Sequence, residues 1–185
     1  MESGGRTYLL VDGENIDATI GGSILGRRPQ PQERPRWDRL LAFAEEHWQQ
    51  SVTGLFFLAV HGDLPMPFVQ ALTSLGYKPV PLTGAPDQKV VDIGIQRTLE
   101  EIARREGDVM LVSNDGDFIP QLDPLVGTRR TGLIAFDEFR NLGYTELMAR
   151  GLEVFDLEYD VRAFTDELPR MRVIPIDEFD PAQFL

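Results

Sequence analysis

Short apolar runs alternate with amphipathic segments along most of the chain. A continuous apolar run that ends in a polar turn is typical of a buried strand, and apolar residues that recur every three or four positions are typical of a helix. These patterns predict strands at residues 7–11, 52–60, 77–82, 108–113, 131–136 and 152–157. They predict helices at residues 37–50, 65–75, 88–106, 118–126 and 141–150.

The alternation of strands and helices predicts the fold class. Buried strands separated by helices form a mainly parallel sheet covered on both faces, because parallel strands need crossover connections. We therefore expect an α/β fold, a three-layer α-β-α sandwich, for a domain that spans residues 1–160. Within it, residues 21–36 are rich in Gly, Pro, Gln and Arg and are predicted to form a long loop. Residues 161–185 are predicted to form an acidic extended tail that packs on the domain or on a partner.

Composition narrows the chemistry that the chain can perform. Of the 185 residues, 42% are hydrophobic, which is enough for the core of one domain. The absence of cysteine excludes disulfides, thiolate catalysis and Cys-based zinc sites, and two histidines, His47 and His61, are too few for a His-rich site. A metal ion would therefore be held mainly by oxygen ligands, which suit Mg²⁺, Mn²⁺ or Ca²⁺.

The net charge of −12 argues against tight, nonspecific binding of nucleic acid. The charge is unevenly distributed, however: residues 153–185 carry nine acidic residues and three arginines, a net of −6, whereas residues 27–39 carry five arginines, Glu33 and Asp38, a net of +3. The sequence has no apolar stretch of about 20 residues, which a membrane span needs, and no signal-peptide pattern. We therefore expect a cytoplasmic protein that does not enter a membrane.

Acidic residues follow two of the predicted strands. Asp12 comes directly after the first strand, and Asp115 and Asp117 come just after the strand that ends at Ser113. Asp92 opens the longest predicted helix, and all four aspartates are expected at the carboxyl edge of the sheet, where such folds bind ligands. Because converging carboxylates repel each other, a divalent cation is expected among them, and hydrolysis of phosphodiester bonds is the natural reaction for such a site.

Each aspartate also has a purely structural interpretation. An aspartate after a strand is often a turn former or a helix cap, which would account for Asp12 and Asp115. Asp92, in a first helical turn, is favourable with the helix dipole whether or not it binds a metal. The functional interpretation therefore depends on the expected convergence of these residues at one edge of one sheet.

Three motifs resemble those of the NYN domain family, the LabA-like or DUF88 branch of the PIN-like nucleases, over about residues 7–157. They are Leu9-Leu-Val-Asp-Gly-Glu-Asn15, Lys89-Val-Val-Asp-Ile-Gly94 and Val112-Ser-Asn-Asp-Gly-Asp-Phe118. Val90, Asn114 and Gly116 depart from the family's usual residues, but no carboxylate is lost. The resemblance implies a PIN-like fold and metal-dependent cleavage of RNA, with single-stranded RNA favoured.

Carried over by position, the family's site assigns roles to the motif residues. Mg²⁺ or Mn²⁺ would be held by the catalytic aspartates Asp12, Asp92, Asp115 and Asp117. Asn15 would contact substrate or a water of the metal site, and Ser113 would hold the carboxylates in place through its hydroxyl. Lys89 would contact a substrate phosphate, unless it is only a solvated lysine before a helix.

Other residues of this region have open interpretations. Arg27 and Arg28, with the other arginines of residues 27–39, are candidate phosphate contacts or parts of a mobile, solvated loop. His61, after the second strand, is a candidate for proton transfer or substrate binding, or a structural histidine. Glu14 is a candidate for an additional group at the metal site.

Two other functions stay open at this stage. A haloacid-dehalogenase-like phosphatase also carries an aspartate after its first strand, but its mechanism needs a second aspartate two residues on, where this chain has Glu14. A non-catalytic NYN module that binds RNA, or binds a protein partner through the acidic tail, would fit the negative charge. The sequence also leaves a homodimer open.

Overall fold

The computed structural model describes residues 5–170 and 173–185. Within these ranges, six strands form one sheet in the order β3-β2-β1-β4-β5-β6, and every neighbouring pair is parallel. The strands are β1 (Arg6–Val11), β2 (Ser51–Ala59), β3 (Lys78–Leu82), β4 (Asp108–Val112), β5 (Thr131–Ala135) and β6 (Glu153–Asp156). The predicted strands are confirmed, with ends that differ by no more than a single residue.

Six α-helices of the described residues cover the sheet. They are α1 (Gly13–Ala18), α2 (Trp37–Trp48), α3 (Met66–Leu75), α4 (Val90–Ile102), α5 (Ile119–Leu122) and α6 (Tyr144–Ala149). A π-helix, Thr19–Leu25, extends α1, and short 3₁₀ helices flank α5 at Gly116–Phe118 and Asp123–Leu125. The helix predicted at residues 118–126 is broken in this way because two prolines remove backbone donors.

Side chains of the central strands alternate between two cores, as the geometry of an extended strand requires. Leu9 and Val11 point to the face covered by α1, α2 and α3, whereas Leu10 points to the face covered by α4, α5 and α6. The helical stripe predicted from the sequence is buried on this second face: Val91, Ile95, Leu99 and Ile102. The three-layer α-β-α sandwich is therefore confirmed. None of the helices in the described ranges combines the length and the apolar character that crossing a bilayer requires.

The order of the strands reverses between β1 and β4, and we call this place the switch point. β2 and then β3 lie on one side of β1, and the next strand along the chain, β4, pairs with β1 on its other side. In doubly wound folds, such a reversal opens a crevice at the carboxyl ends of the two strands. Val11 pairs with Val112, so Asp12 and Ser113 lie next to each other at this crevice.

The prediction of a loop at residues 21–36 is wrong for its first part. The chain is helical as far as Leu25, and both Ile24 and Leu25 are buried. Ile16, Ile20 and Ile24 recur every four residues and form the buried stripe of this helix. Two adjacent glycines, which disfavour a helix, interrupt the stripe and hide it in the sequence.

The domain extends beyond the boundary predicted at residue 160. The segment that follows has apolar side chains in the core on the α1 face of the sheet: Val161, Ala163, Phe164 and Leu168. The Arg36 N–H donates to the Ala163 carbonyl at 2.6 Å and ties this segment to the start of α2. Residues 173–185 are mostly exposed. Residues 1–4 of the predicted domain and 171–172 of the predicted tail lie outside the described residues.

Candidate active site

Asp12 is a buried carboxylate at the switch point. The residue follows β1 directly and is 2% exposed, and its backbone N–H donates to the Val112 carbonyl at 3.0 Å. The Ser113 hydroxyl donates to Asp12 Oδ2 at 2.8 Å. The residue after β4 therefore fixes the carboxylate that follows β1, which is the geometry expected of a serine that holds a carboxylate in place.

Asn15 and Asn114 join the loop after β4 to α1. The Asn114 backbone N–H donates to Asn15 Oδ1 at 2.9 Å, and the Phe136 N–H donates to Asn114 Oδ1 at 2.8 Å. Asn114 is 5% exposed, so the family departure at this position serves a buried link between β4 and β5. Because the Asn15 oxygen is engaged, its amide N–H groups are what it offers to a ligand.

Asp92, Asp115 and Asp117 form a three-carboxylate cluster in which one oxygen from each residue lies within 4.8 Å of the others. Asp115 caps the short helix after β4, where its Oδ1 accepts from the Asp117 N–H at 3.2 Å. In the described part of the chain, this is the one group of acidic or histidine side chains so closely spaced. Three of the four predicted aspartates thus converge, and Asp12 lies beside them but outside the set.

An open cleft of about 400 Å³ is lined by Asp92 and Asp115 of this cluster, and the Asp117 side chain is itself about half exposed. Glu14 lines the cleft, and its Oε1 accepts from the Ala59 N–H at 3.0 Å, which ties this side chain to the end of β2. His61 is exposed and also lines it. Most of the charged residues that line it are acidic, so we call it the acidic cleft: Asp12, Glu14, Asp87, Asp92 and Asp115.

Lys89 is the one lysine or arginine among the described residues that line the acidic cleft. It precedes α4, and its Nζ lies 3.8 Å from Asp117 Oδ2. The Lys89 side chain is 75% exposed, so solvent screens this ion pair and leaves it weak. The lysine therefore remains available to an incoming anion, although its contact with a phosphate stays a prediction.

Burial and mutual repulsion raise the pKa values of two aspartates. Burial, together with the negative charges of Asp92 and Asp115, raises the pKa of Asp12 to about 7, although the hydrogen bond from Ser113 opposes the shift. Burial also raises the pKa of Asp92, with contributions from Asp115 and Asp117, while Lys89 opposes the shift. Both shifts disfavour negative charge at the site, and a bound cation would reverse that preference.

Arg27 and Arg28, which the sequence suggested as substrate contacts, do not line the acidic cleft. Arg27 instead makes a two-pronged ion pair with Glu33, at 2.7 and 2.8 Å, within its own loop. The end of that loop lies against the segment after residue 160, since the Arg36 N–H donates to the Ala163 carbonyl, and Arg39 of α2 donates to the carbonyls of Arg162 and Phe164 at 3.2 and 3.1 Å. A phosphate contact by Arg27 or Arg28 stays a prediction that this geometry does not support.

Sequence patterns did not reveal the groups that hold the Asp115–Asp117 turn. The Tyr144 hydroxyl donates to the Asp115 carbonyl, and Gln96 Nε2 donates to the Asp117 carbonyl at 3.1 Å. A Cβ at Gly116 would approach the Asn141 amide to 2.6 Å, so a side chain there would displace Asn141. The glycine at 116, in place of the usual family residue, was the one signal of this close approach.

A model of the NYN domain family matches residues 6–147, which cover β1 to β5 and every motif aspartate. The chain belongs to the NYN domain family. NYN domains lie within the PIN-like nuclease superfamily, are generally nucleases, and commonly bind nucleic acid. The match does not distinguish branches of the family, so the LabA-like or DUF88 branch stays a prediction.

The fold is also similar to that of a solved protein. A crystal structure of a protein of unknown function from Vibrio parahaemolyticus RIMD 2210633 aligns with a TM-score of 0.67 and 16% sequence identity. The alignment covers 86% of this chain and 97% of that chain. At this identity the likeness supports the fold alone. No curated protein gives a significant match.

Proposed function

We propose that this NYN domain is a metal-dependent nuclease that hydrolyses phosphodiester bonds of RNA, with single-stranded RNA favoured. The observation that carries the proposal is the three-carboxylate cluster of Asp92, Asp115 and Asp117. One oxygen of each residue lies within 4.8 Å of the others, and Asp92 and Asp115 also line an open cleft. A compact set of carboxylates that faces solvent suits a cation shared between protein and substrate. RNA as the substrate follows from the family resemblance.

The donor set fits Mg²⁺ or Mn²⁺. All three groups offer hard carboxylate oxygens, and the chain has no cysteine that would favour a softer metal. Asp92, Asp115 and Asp117 would hold the ion, with Asp12 next to them. When bound, such an ion activates water and stabilises the leaving oxygen of a phosphodiester.

Residues of the chain itself would transfer the proton and bind the substrate. Ser113 keeps the Asp12 carboxylate in one orientation, and Asp12 would have a lower pKa beside a bound cation because positive charge favours the ionised form. The ionised Asp12 then accepts the proton of the attacking water at a carboxylate oxygen. Lys89 binds a phosphate oxygen of the substrate strand, and Asn15 donates its amide N–H groups to the same strand.

Cleavage of a labelled single-stranded RNA by the purified protein tests this proposal, with Mg²⁺, with Mn²⁺ and with EDTA. We expect cleavage with either cation and none with EDTA. Asp115→Asn should lower the rate at least about a hundredfold, because groups that merely orient metal ligands already contribute about 10- to 100-fold. Asp166→Asn, at an exposed position outside the cleft, is the matched control and should cleave normally. A pure, folded protein that cleaves no RNA with either cation would overturn the proposal.

A non-catalytic module that binds RNA or a protein is the second candidate. The exposed segment at residues 173–185 favours it, because acidic residues there alternate with exposed apolar side chains such as Ile176 and Phe184. A non-catalytic function is supported if the protein cleaves no RNA and Asp115→Asn binds RNA as well as the unmodified chain. Nothing in the site favours the phosphatase alternative. A cytoplasmic location and a homodimer stay predictions.

A further inference from the structure

A second, smaller groove adjoins the acidic cleft. It lies between the end of β3 and α4, has a volume of about 200 Å³ and shares Gln88 and Val90 with the cleft. The groove is therefore continuous with the carboxylate site, on the side where the helix that carries Asp92 begins.

The lining of this groove differs from that of the cleft. Leu82, Val90 and Ile93 supply apolar surface, Thr83 and Gln88 supply polar groups, and none of the lining residues that the structure describes is acidic. At its far end lies Arg97, five residues beyond Asp92 and so about 7.5 Å farther along the axis of α4. The groove thus leads from acidic surroundings to a positive charge.

Arg97 is exposed and has no ion-pair or hydrogen-bond partner among the described residues. Most other arginines are engaged, such as Arg130 with Glu153 and Arg170 with Glu138 and Glu158. In a chain with a net charge of −12, an arginine without a carboxylate partner next to an acidic cleft is available to an external anion.

We propose that this groove is a subsite for a single-stranded nucleic acid that leaves the acidic cleft, in which Arg97 contacts a backbone phosphate. The assignment rests on the proposed function, since it supplies the path that the cleaved strand follows. The narrow apolar wall accepts the base or sugar of one strand and leaves no room for a duplex. Arg97 offsets the repulsion that the acidic cleft exerts on the backbone.

Binding of a fluorescent ten-nucleotide RNA, measured by anisotropy with Mg²⁺ present, tests the subsite. The measurements use Asp115→Asn as the background, so that cleavage does not interfere. Adding Arg97→Ala should weaken binding about fivefold at low salt, the upper range for an exposed ion pair. The slope of log affinity against log salt should fall by about 0.7, the value for one phosphate contact on a single strand.

Two further variants separate the groove from general electrostatics. Arg104→Ala, at an exposed position just beyond the C-terminal end of α4 and away from the groove, removes the same charge as a control and should bind normally. Thr83→Trp fills the groove without changing the charge, so it should weaken binding and leave the salt slope unchanged. Equal effects of Arg97→Ala and Arg104→Ala would overturn the subsite, as would normal binding by Thr83→Trp.

A DNA strand of the same length identifies the group that Arg97 contacts. Equal losses on RNA and DNA support a phosphate contact, and a loss confined to RNA overturns it, because the contact would then involve the ribose hydroxyl. The test also separates the two proposals. If the unmodified chain cleaves no RNA but Arg97→Ala still weakens binding selectively, the nuclease proposal fails and the subsite stands.

Discussion

Ser113 and Asp12 are separated by 101 residues in sequence, yet the Ser113 hydroxyl donates to Asp12 Oδ2 at 2.8 Å. The parallel pairing of β1 with β4 produces this contact, because Val11 and Val112 are register partners and the next residue of each strand enters the crevice. The candidate site is therefore a direct product of the sheet order. Its central hydrogen bond joins the first motif of the family to the third.

Ser113→Ala should raise the pKa of Asp12 above its value of about 7 in the metal-free protein. The substitution removes a hydrogen bond that favours the carboxylate, while the burial that disfavours it stays. Carboxyl-carbon NMR titration of Asp12 in EDTA measures the shift. Ser113→Thr keeps the hydroxyl and is the matched control. An unchanged pKa in Ser113→Ala would mean that the hydrogen bond has no influence on the titration of Asp12.

Asp12→Asn should change how the stability of the metal-free protein depends on pH. The folded-state pKa of about 7 lies above the ordinary value of 3.8, so the folded protein holds a proton that the unfolded chain releases. The free energy of unfolding therefore falls as pH rises from about 4 to about 7, by up to about 4 kcal/mol. Asp12→Asn lacks this fall and should be the more stable form at pH 8.

Urea denaturation in EDTA at pH 4 and pH 8 measures this difference between Asp12→Asn and the unmodified chain. The two should have similar stability at pH 4, and the variant should gain at pH 8. Asp166→Asn, which replaces an exposed carboxylate, should follow the unmodified chain at both values. The same stability difference at both pH values would contradict a raised pKa at Asp12.

The sheet could be predicted from the sequence because its signals are local. Each buried strand is a continuous apolar run, and the stripe from Val91 to Ile102 identifies α4. The π-helical extension of α1 could not be predicted, because its stripe of isoleucines passes through two glycines. The segment at 161–168 was missed for a related reason: Val161, Ala163 and Phe164 have no regular period, and only contact with the core makes them part of the domain.

The candidate site was predictable in part. The positions of Asp12 and Asp115 follow from the strand ends, and the family motifs add Asp92. Sequence could not show that Asp12 lies beside the three-carboxylate cluster and not within it, because that depends on distances across the switch point. Nor could it show that Arg27 is paired with Glu33, since two residues six apart in an irregular loop have no preferred geometry.

Deletion of residues 173–185 should leave the stability of the domain almost unchanged, whereas deletion of residues 161–185 should destabilise it by several kcal/mol. The longer deletion removes Phe164, which stacks on Phe136 with ring centroids 5.9 Å apart, and other buried apolar groups. Phe164→Ala alone should lower the free energy of unfolding by about 3 kcal/mol. Phe184→Ala, at an exposed position, is the control. Equal stability of the two deletion variants in urea would mean that the domain ends at residue 160, as the sequence predicted.

Lys89→Gln should strengthen the binding of Mn²⁺ and weaken that of substrate. In the metal-free site, Lys89 Nζ lies 3.8 Å from Asp117 Oδ2 and partly neutralises a carboxylate that the cation would use. Its removal should raise the Mn²⁺ affinity about two- to threefold at low salt, with a smaller gain at high salt, because an exposed ion pair is weak and screened. Titration calorimetry at two salt concentrations measures the Mn²⁺ affinity and its dependence on salt.

In cleavage assays, the same variant should show a higher KM for RNA, because a phosphate contact is lost while the carboxylates stay in place. Lys78→Gln removes the other lysine of the chain, at the opposite end of β3 from the site. It should change neither the Mn²⁺ affinity nor the KM for RNA. Weaker Mn²⁺ binding by Lys89→Gln would contradict this prediction. It would mean that the lysine holds the carboxylates in position for Mn²⁺ and does not compete with the ion for them. The direction of the change in Mn²⁺ affinity therefore decides whether Lys89 acts first on the metal ligands or only on the substrate.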